Sequence, residues 1–148
     1  MQIASSPVYL DASALAKLYI EETESLELER ALIGRRDLLV SELAITEVIS
    51  ALARRVREGD LSSRDAGRVQ RHISTDLERG EFRRIDLSPD LHRVAERLLL
   101  RLGSTLPLRA ADALHLALAG SAPARAFVTY DRHLREAAIT MASFDVHG

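Results

Sequence analysis

Four acidic residues stand at or near the boundaries of predicted elements: Asp11, Glu47, Asp112 and Asp131. Asp11 ends the apolar run Val8-Tyr9-Leu10, and Asp131 follows the run Ala126-Phe127-Val128. Glu47 lies early in a predicted helix. Asp112 is the one acid in the almost wholly apolar stretch from Ala110 to Ala119. Carboxylates gathered into one pocket repel one another and resist ionising together. A divalent cation relieves that repulsion, and an all-oxygen donor set favours magnesium or manganese over zinc.

Each acid also has a structural reading. Aspartate is a favoured helix N-cap, so Asp11 and Asp131 both suit the starts of the helices that follow them. Asp112 suits a first-turn position, where the helix dipole favours negative charge. Glu47 lies off the apolar stripe of its helix, which by itself describes a solvated face. Ser13 is two residues beyond Asp11 and can donate a hydrogen bond to it. Thr129 precedes Asp131 by two residues, on the same side if the strand continues. His115 shares a helix face with Asp112, and a core or supporting role suits it better than hard-metal ligation. Repulsion among the acids predicts that Asp112→Asn leaves metal-free stability unchanged or raised.

The elements that must position these residues follow from the pattern of apolar residues. Short apolar runs at 7–10, 38–40, 82–85, 126–128 and 139–144 read as strands. A helix carrying Ala14, Leu15, Leu18 and Tyr19 follows the first run. A second helix, through Leu28, Ala31 and Leu32, ends at Gly34. A third has Ile45, Val48, Ile49, Leu52 and Val56 on one face and stops at Gly59-Asp60. Ser62 or Ser63 caps a fourth, closed by Gly80. Ser88-Pro89 starts the clearest amphipathic helix, which breaks at Gly103-Ser104. A buried helix is predicted over 109–119 and a short one over 132–138. Strands alternating with helices predict an α/β fold: a three-layer α/β/α sandwich with a central parallel sheet. Ligands of such sheets bind beyond the carboxyl ends of the strands, where Asp11 and Asp131 fall.

The length of 148 residues predicts one domain over 1–148. Such a chain buries roughly 68–70% of its unfolded surface, enough for a core without staples. The absence of cysteine rules out disulfides, thiol catalysis and thiolate ligands. No secretory leader is visible, and Arg109, Asp112 and His115 interrupt the best candidate for a membrane span. These features predict a soluble cytoplasmic protein with no membrane association. The net charge of −2 does not advertise a polyanion partner, so any nucleic-acid contact must come from local patches. Lys17 is the sole lysine, every other cationic side chain being arginine, whose planar fork suits phosphate.

Four stretches, taken in order and spacing, resemble the PIN-domain ribonucleases, and more closely the VapC-type toxins of type II toxin–antitoxin pairs. They are Val8-Tyr9-Leu10-Asp11-Ala12-Ser13-Ala14-Leu15, Ser41-Glu42-Leu43-Ala44-Ile45-Thr46-Glu47-Val48, Leu108-Arg109-Ala110-Ala111-Asp112-Ala113-Leu114-His115 and Val128-Thr129-Tyr130-Asp131-Arg132. The resemblance assigns the catalytic acids to Asp11, Glu47, Asp112 and Asp131, with Ser13 and Thr129 as supporting polar residues. It implies cleavage of structured RNA, and so inhibited translation, with Mg2+ as cofactor and Mn2+ as a substitute. Asp11 and Asp112 look like the metal ligands. Glu47 or Asp131 orients or deprotonates the attacking water. The resemblance further implies a homodimer and a cognate antitoxin that covers the cleft. Arg54, Arg55 and Arg57, and Arg64, Arg68 and Arg71, offer basic helix faces for RNA, although they also suit plain solvated surface.

Competing functions are a metal-dependent DNA nuclease, which would use the same chemistry, and a catalytically silent PIN-like binding module, which would be expected to have lost acids. A phosphate-accepting receiver needs a lysine near a late strand, where this chain has none. A phosphatase of the Asp-x-Asp type needs an acid where Ser13 stands.

Overall fold

A computed structural model describes all residues from Met1 to Gly148. Five short strands form one fully parallel sheet: β1 (Val8–Leu10), β2 (Leu38–Ser41), β3 (Arg83–Ile85), β4 (Ala126–Val128) and β5 (Asp145–His147). Their spatial order is β3-β2-β1-β4-β5. The chain therefore builds outward from β1 in one direction, then returns to β1's other side and builds the opposite way. That reversal puts a topological switch point between β1 and β4, the place where open α/β sheets bind ligands.

Successive strand residues point to opposite faces, and the two cores divide accordingly. Val8, Leu10, Leu38, Val40, Ala126 and Val128 face one side. There they meet α1 (Ala12–Lys17), α2 (Ser25–Leu32), α3 (Glu42–Glu58) and α4 (Ser63–Glu78). Tyr9, Leu39 and Phe127 face the other side. They meet α5 (Pro89–Leu102), α6 (Ala110–Ser121) and α7 (Arg132–Met141). The result is the expected three-layer α/β/α sandwich. Strands this short and buried on both faces carry too few residues to show alternation, so they read as plain apolar runs.

The helix starts use local chemistry. Asp11, Ser41, Ser62 and Asp131 each accept a backbone N–H of the helix they cap. Gly59 closes α3 at φ 83°, in the left-handed region that glycine enters without steric cost.

One expected strand is misplaced. Residues 139–144 do not form it. Instead α7 continues to Met141, Ala142 ends it at φ 52°, and the strand is Asp145–His147. The β-branched pair Ile139-Thr140 favours extended backbone locally, but buried Ala137 and Ala138 commit the helix to the sheet face. The true edge strand holds one apolar residue, Val146, between two polar ones, so it carries no strand signal of its own. It forms because β4 offers an unpaired edge.

Phe127 ties the second core to β1. It is fully buried, stacks on Tyr9 with ring centroids 5.3 Å apart, and touches Phe144 at 5.4 Å. Phe127→Ala should cost about 3–5 kcal/mol, measured by urea unfolding of the metal-free protein. A loss under ~1 kcal/mol would show that Tyr9 does not depend on that packing.

Candidate active site

Beyond the carboxyl ends of β1 and β4 lies a pocket of about 520 Å³ lined by Asp11, Ser13, Glu47, Arg54, Arg57, Arg109, Asp112, His115 and Asp131, among others. All four expected acids therefore share one cavity, although they come from the N-caps of α1 and α7, the second turn of α3 and the first turn of α6. Ser13 also lines it. Thr129 is wholly buried behind Asp11.

Asp11 is deeply buried, 3% exposed, as is Asp112. Its oxygens accept from Ser13 Oγ at 2.7 and 2.9 Å, from Thr129 Oγ1 at 2.6 Å and from the Ala14 N–H at 2.9 Å. Every one of those donors is neutral. Burial pushes the Asp11 carboxyl above the usual carboxylate range, and these hydrogen bonds only partly oppose the shift. Ser13 and Thr129 also bind each other's surroundings: the Tyr130 N–H donates to Ser13 Oγ at 2.8 Å, and the Asp131 N–H to Thr129 Oγ1 at 3.1 Å. The two hydroxyls thus lock the β1 and β4 ends together around one carboxylate.

Asp112 and Asp131 have a cation. Asp112 Oδ2 accepts the Arg109 backbone N–H at 2.9 Å and Arg109 Nε at 3.2 Å. Arg109 Nη2 reaches Asp112 Oδ1 at 3.3 Å and Asp131 Oδ2 at 3.0 Å. Asp131 Oδ1 accepts the His133 and Leu134 N–H groups as the cap of α7. The repulsion expected to weigh on Asp112 is therefore already compensated, and the unchanged or raised stability expected of Asp112→Asn does not follow. That expectation applies to Asp11 instead.

Glu47 is not on an idle solvated face. His115 Nε2 lies 2.7 Å from Glu47 Oε2, and His115 Nδ1 lies 2.7 Å from the Tyr9 hydroxyl. Tyr9 and His115 are both buried. The Tyr9 hydroxyl is also 3.2 Å from Ser41 Oγ, which accepts the Ala44 N–H as the cap of α3. Burial holds the Tyr9 phenol far up, so it keeps its proton. The Glu47 carboxylate can only accept, so His115 Nε2 carries the proton of that contact and Nδ1 faces the Tyr9 hydroxyl. A buried chain thus pins one Glu47 oxygen and leaves Oε1 to the pocket.

As they stand, no three acidic or histidine side chains are close enough to grip one ion together. The residues nonetheless suit a hard divalent cation. The donors are all oxygen, and Asp11 is a buried carboxylate with no cationic partner, which is unfavourable unless a charge joins it. Arg109 holds the other two acids from a largely solvent-exposed position, 67% of its side chain being accessible.

Sequence reasoning missed Arg109 and Tyr9. Arg109 showed as a break in an apolar stretch, yet it stands three residues before Asp112, where its backbone N–H and its guanidinium both donate to that carboxylate. Tyr9 was read as a strand residue, yet a phenol inside a buried run needs a partner. Of the basic faces, Arg54 and Arg57 reach the pocket wall. Arg55, Arg64, Arg68 and Arg71 do not line it, and Arg68 pairs with Asp65. Lys17 is held by Glu22 and Glu24 at 2.9 and 2.6 Å.

Comparison with known proteins bears on this geometry. Residues 8–139 match the PIN domain family. Ribonuclease VapC46 of Mycobacterium tuberculosis is 35% identical over 138 residues, 90% of this chain and 92% of that protein. The solved structure of VapC20 from the same organism, described as a sarcin-ricin loop cleaving toxin, has a TM-score of 0.70 at 17% identity and covers 93% of this chain and 96% of its own. A structure from Pyrobaculum aerophilum gives 0.66 at 24% identity, over 95% of this chain and 82% of its own. The parallel sheet, the acids at its switch point and these similarities agree: the chain belongs to the PIN-domain family, among its VapC-type members.

Proposed function

We propose that this chain is a metal-dependent ribonuclease, the toxin of a toxin–antitoxin pair, that hydrolyses a phosphodiester bond in structured RNA and so stops translation. The observation that carries the reading is Asp11: a buried carboxylate, satisfied only by neutral donors, at the base of an oxygen-lined pocket in a VapC-type fold. Asp11 and Asp112 would hold Mg2+, or Mn2+ in its place, with Asp131 beside them. Such a cation lowers the pKa of water and offsets the charge that develops on an attacked phosphate.

The chain's own groups do the rest. Two hydroxyls and an amide fix the Asp11 carboxylate, so it needs no reordering when the charge arrives. Both Glu47 and Asp131 were candidates for handling the water proton. Asp131 has both oxygens engaged, Oδ1 by two backbone amides and Oδ2 by Arg109, whereas Glu47 keeps Oε1 free. Glu47 is therefore assigned the role of accepting the proton of the water that attacks phosphorus, as the P–O bond to the leaving ribose oxygen breaks. Arg54 and Arg57, one and two turns further along the pocket face of α3 than Ser50, can take the phosphates on either side of the cut.

The partners follow from the same site. An antitoxin that places a basic side chain over the acids would silence it, since a cation there satisfies the same charges. The toxin would act as a homodimer in the cytoplasm, where its RNA is. No helix is long and apolar enough to cross a membrane. The acids cannot choose between RNA and DNA, because both share the phosphate. The 2′-hydroxyl and splayed loops of a folded RNA supply the discrimination.

Chelation should abolish cleavage, and magnesium or manganese should restore it. Asp11→Asn should lose at least ~10³-fold in rate, a magnitude set by losing transition-state charge stabilisation. Its metal-free melting temperature should be unchanged or raised, because a buried uncompensated charge is gone. A clear drop in that temperature would make Asp11 a structural cap alone.

His115→Ala and Tyr9→Phe should lower kcat about 10–100-fold with KM nearly unchanged, as expected for groups that orient a reacting side chain. His115→Gln, which keeps an N–H donor, should recover part of the loss. Equal loss in His115→Gln and His115→Ala at equal stability would deny the orienting role.

Expressed alone, the wild type should arrest bacterial growth and Asp11→Ala should not. Degradation of single-stranded DNA by the purified protein, with structured RNA left intact in manganese, would favour the DNA nuclease.

A further inference from the structure

Arg109 is the only lysine or arginine that pairs with any of the four acids. Its backbone is fixed at the start of α6, where its N–H donates to Asp112. Its head spans two helices, touching Asp112 on α6 and Asp131 at the start of α7. Two-thirds of the side chain is exposed, so packing does not hold the guanidinium in place. The acids hold it.

We propose that Arg109 is a built-in counter-cation that a divalent ion must displace. The inference rests on the reading that the acidic pocket binds such an ion. The guanidinium occupies both oxygens of Asp112 and the Asp131 oxygen that is not committed to capping α7. Those lone pairs are the ones Asp112 and Asp131 can offer a metal. A cationic fork and a divalent ion on the same oxygens compete for them and repel each other. The guanidinium can leave toward solvent because its side chain is 67% accessible, while the buried Asp112 carboxylate, 5% accessible, needs an incoming cation in its place. Without metal, Arg109 keeps the acids from repelling one another. With metal, the freed guanidinium remains tethered at the pocket rim through the α6 backbone.

The test is Mn2+ binding without RNA, read from the electron paramagnetic resonance signal of free Mn2+. Arg109→Ala and Arg109→Gln should each bind Mn2+ about three- to tenfold more tightly than wild type, the scale expected for removing a competing ion pair whose cationic end is solvent-exposed. Arg109→Gln keeps the polar stem and covers the case where alanine at a helix start unfolds the protein. Arg54→Ala removes the same charge from the same pocket wall without breaking an ion pair to the acids, and should tighten binding less. Unchanged affinity in both Arg109 variants overturns the exchange, as does an equal gain in Arg54→Ala, which would reduce the effect to net charge. If Asp11→Ala binds Mn2+ as wild type does, or wild type binds none, the reading of the acidic pocket itself fails. That failure is distinct from one confined to Arg109.

Discussion

Placing several carboxylates in one partly buried pocket is unfavourable, and the way this chain manages that cost organises the rest of the site. The four acids are compensated by three different means. Asp11 receives two hydroxyls and an amide. Asp112 and Asp131 share Arg109. Glu47 receives a buried histidine. Neutral donors lessen a buried charge's desolvation penalty without cancelling it. Asp11 is therefore the buried acid without a cation, whereas the equally buried Asp112 has Arg109.

Capping takes only one carboxylate oxygen from each acid that stands at a helix start. Three acids sit in the first turn or cap of a helix, and each accepts at least one backbone N–H at a helix start. Those amides and the positive end of the helix dipole lower the cost of holding negative charge. An acid that serves as a cap is already aimed along the strand-to-helix turn. In a parallel sheet that turn faces the ligand edge. The structural reading and the proposed functional reading of Asp11 and Asp131 are thus one arrangement seen twice, whereas Asp112 reaches the same pocket from α6, which follows a helix and not a strand. Glu47 has no such support from its own helix, which explains why it draws on a hydrogen-bonded chain reaching through the second core to Tyr9.

Charge is likewise a matter of place. A net charge of −2 hides a pocket whose acids are faced by Arg54 and Arg57 on one wall and crossed by Arg109. The sole lysine is engaged elsewhere, with Glu22 and Glu24 and over the Tyr130 ring at 4.7 Å. The long-range field of this protein says little about its partner, while the local field says a good deal.

Sequence alone determined what depends on neighbours along the chain. Buried strands show as apolar runs, amphipathic helices as 3.6-residue periodicity, and helix starts as Asp and Ser at caps. For this reason the four acids, Ser13 and most elements were legible. Tertiary structure decided what depends on residues far apart. Tyr9 meets His115 across 106 positions and His115 meets Glu47 across 68, so no local signal joins them. The rotation of α3 that turns Glu47 inward is set by Val48 and Leu52 packing on the sheet, not by Glu47. The reach of Arg109 from α6 to Asp131 needs α7 to start beside it, which the β1–β4 pairing arranges. β5 exists because β4 presents an open edge to a segment with little strand propensity of its own. Local chemistry is written into adjacent residues; a site assembled at a sheet's switch point is written only into the fold.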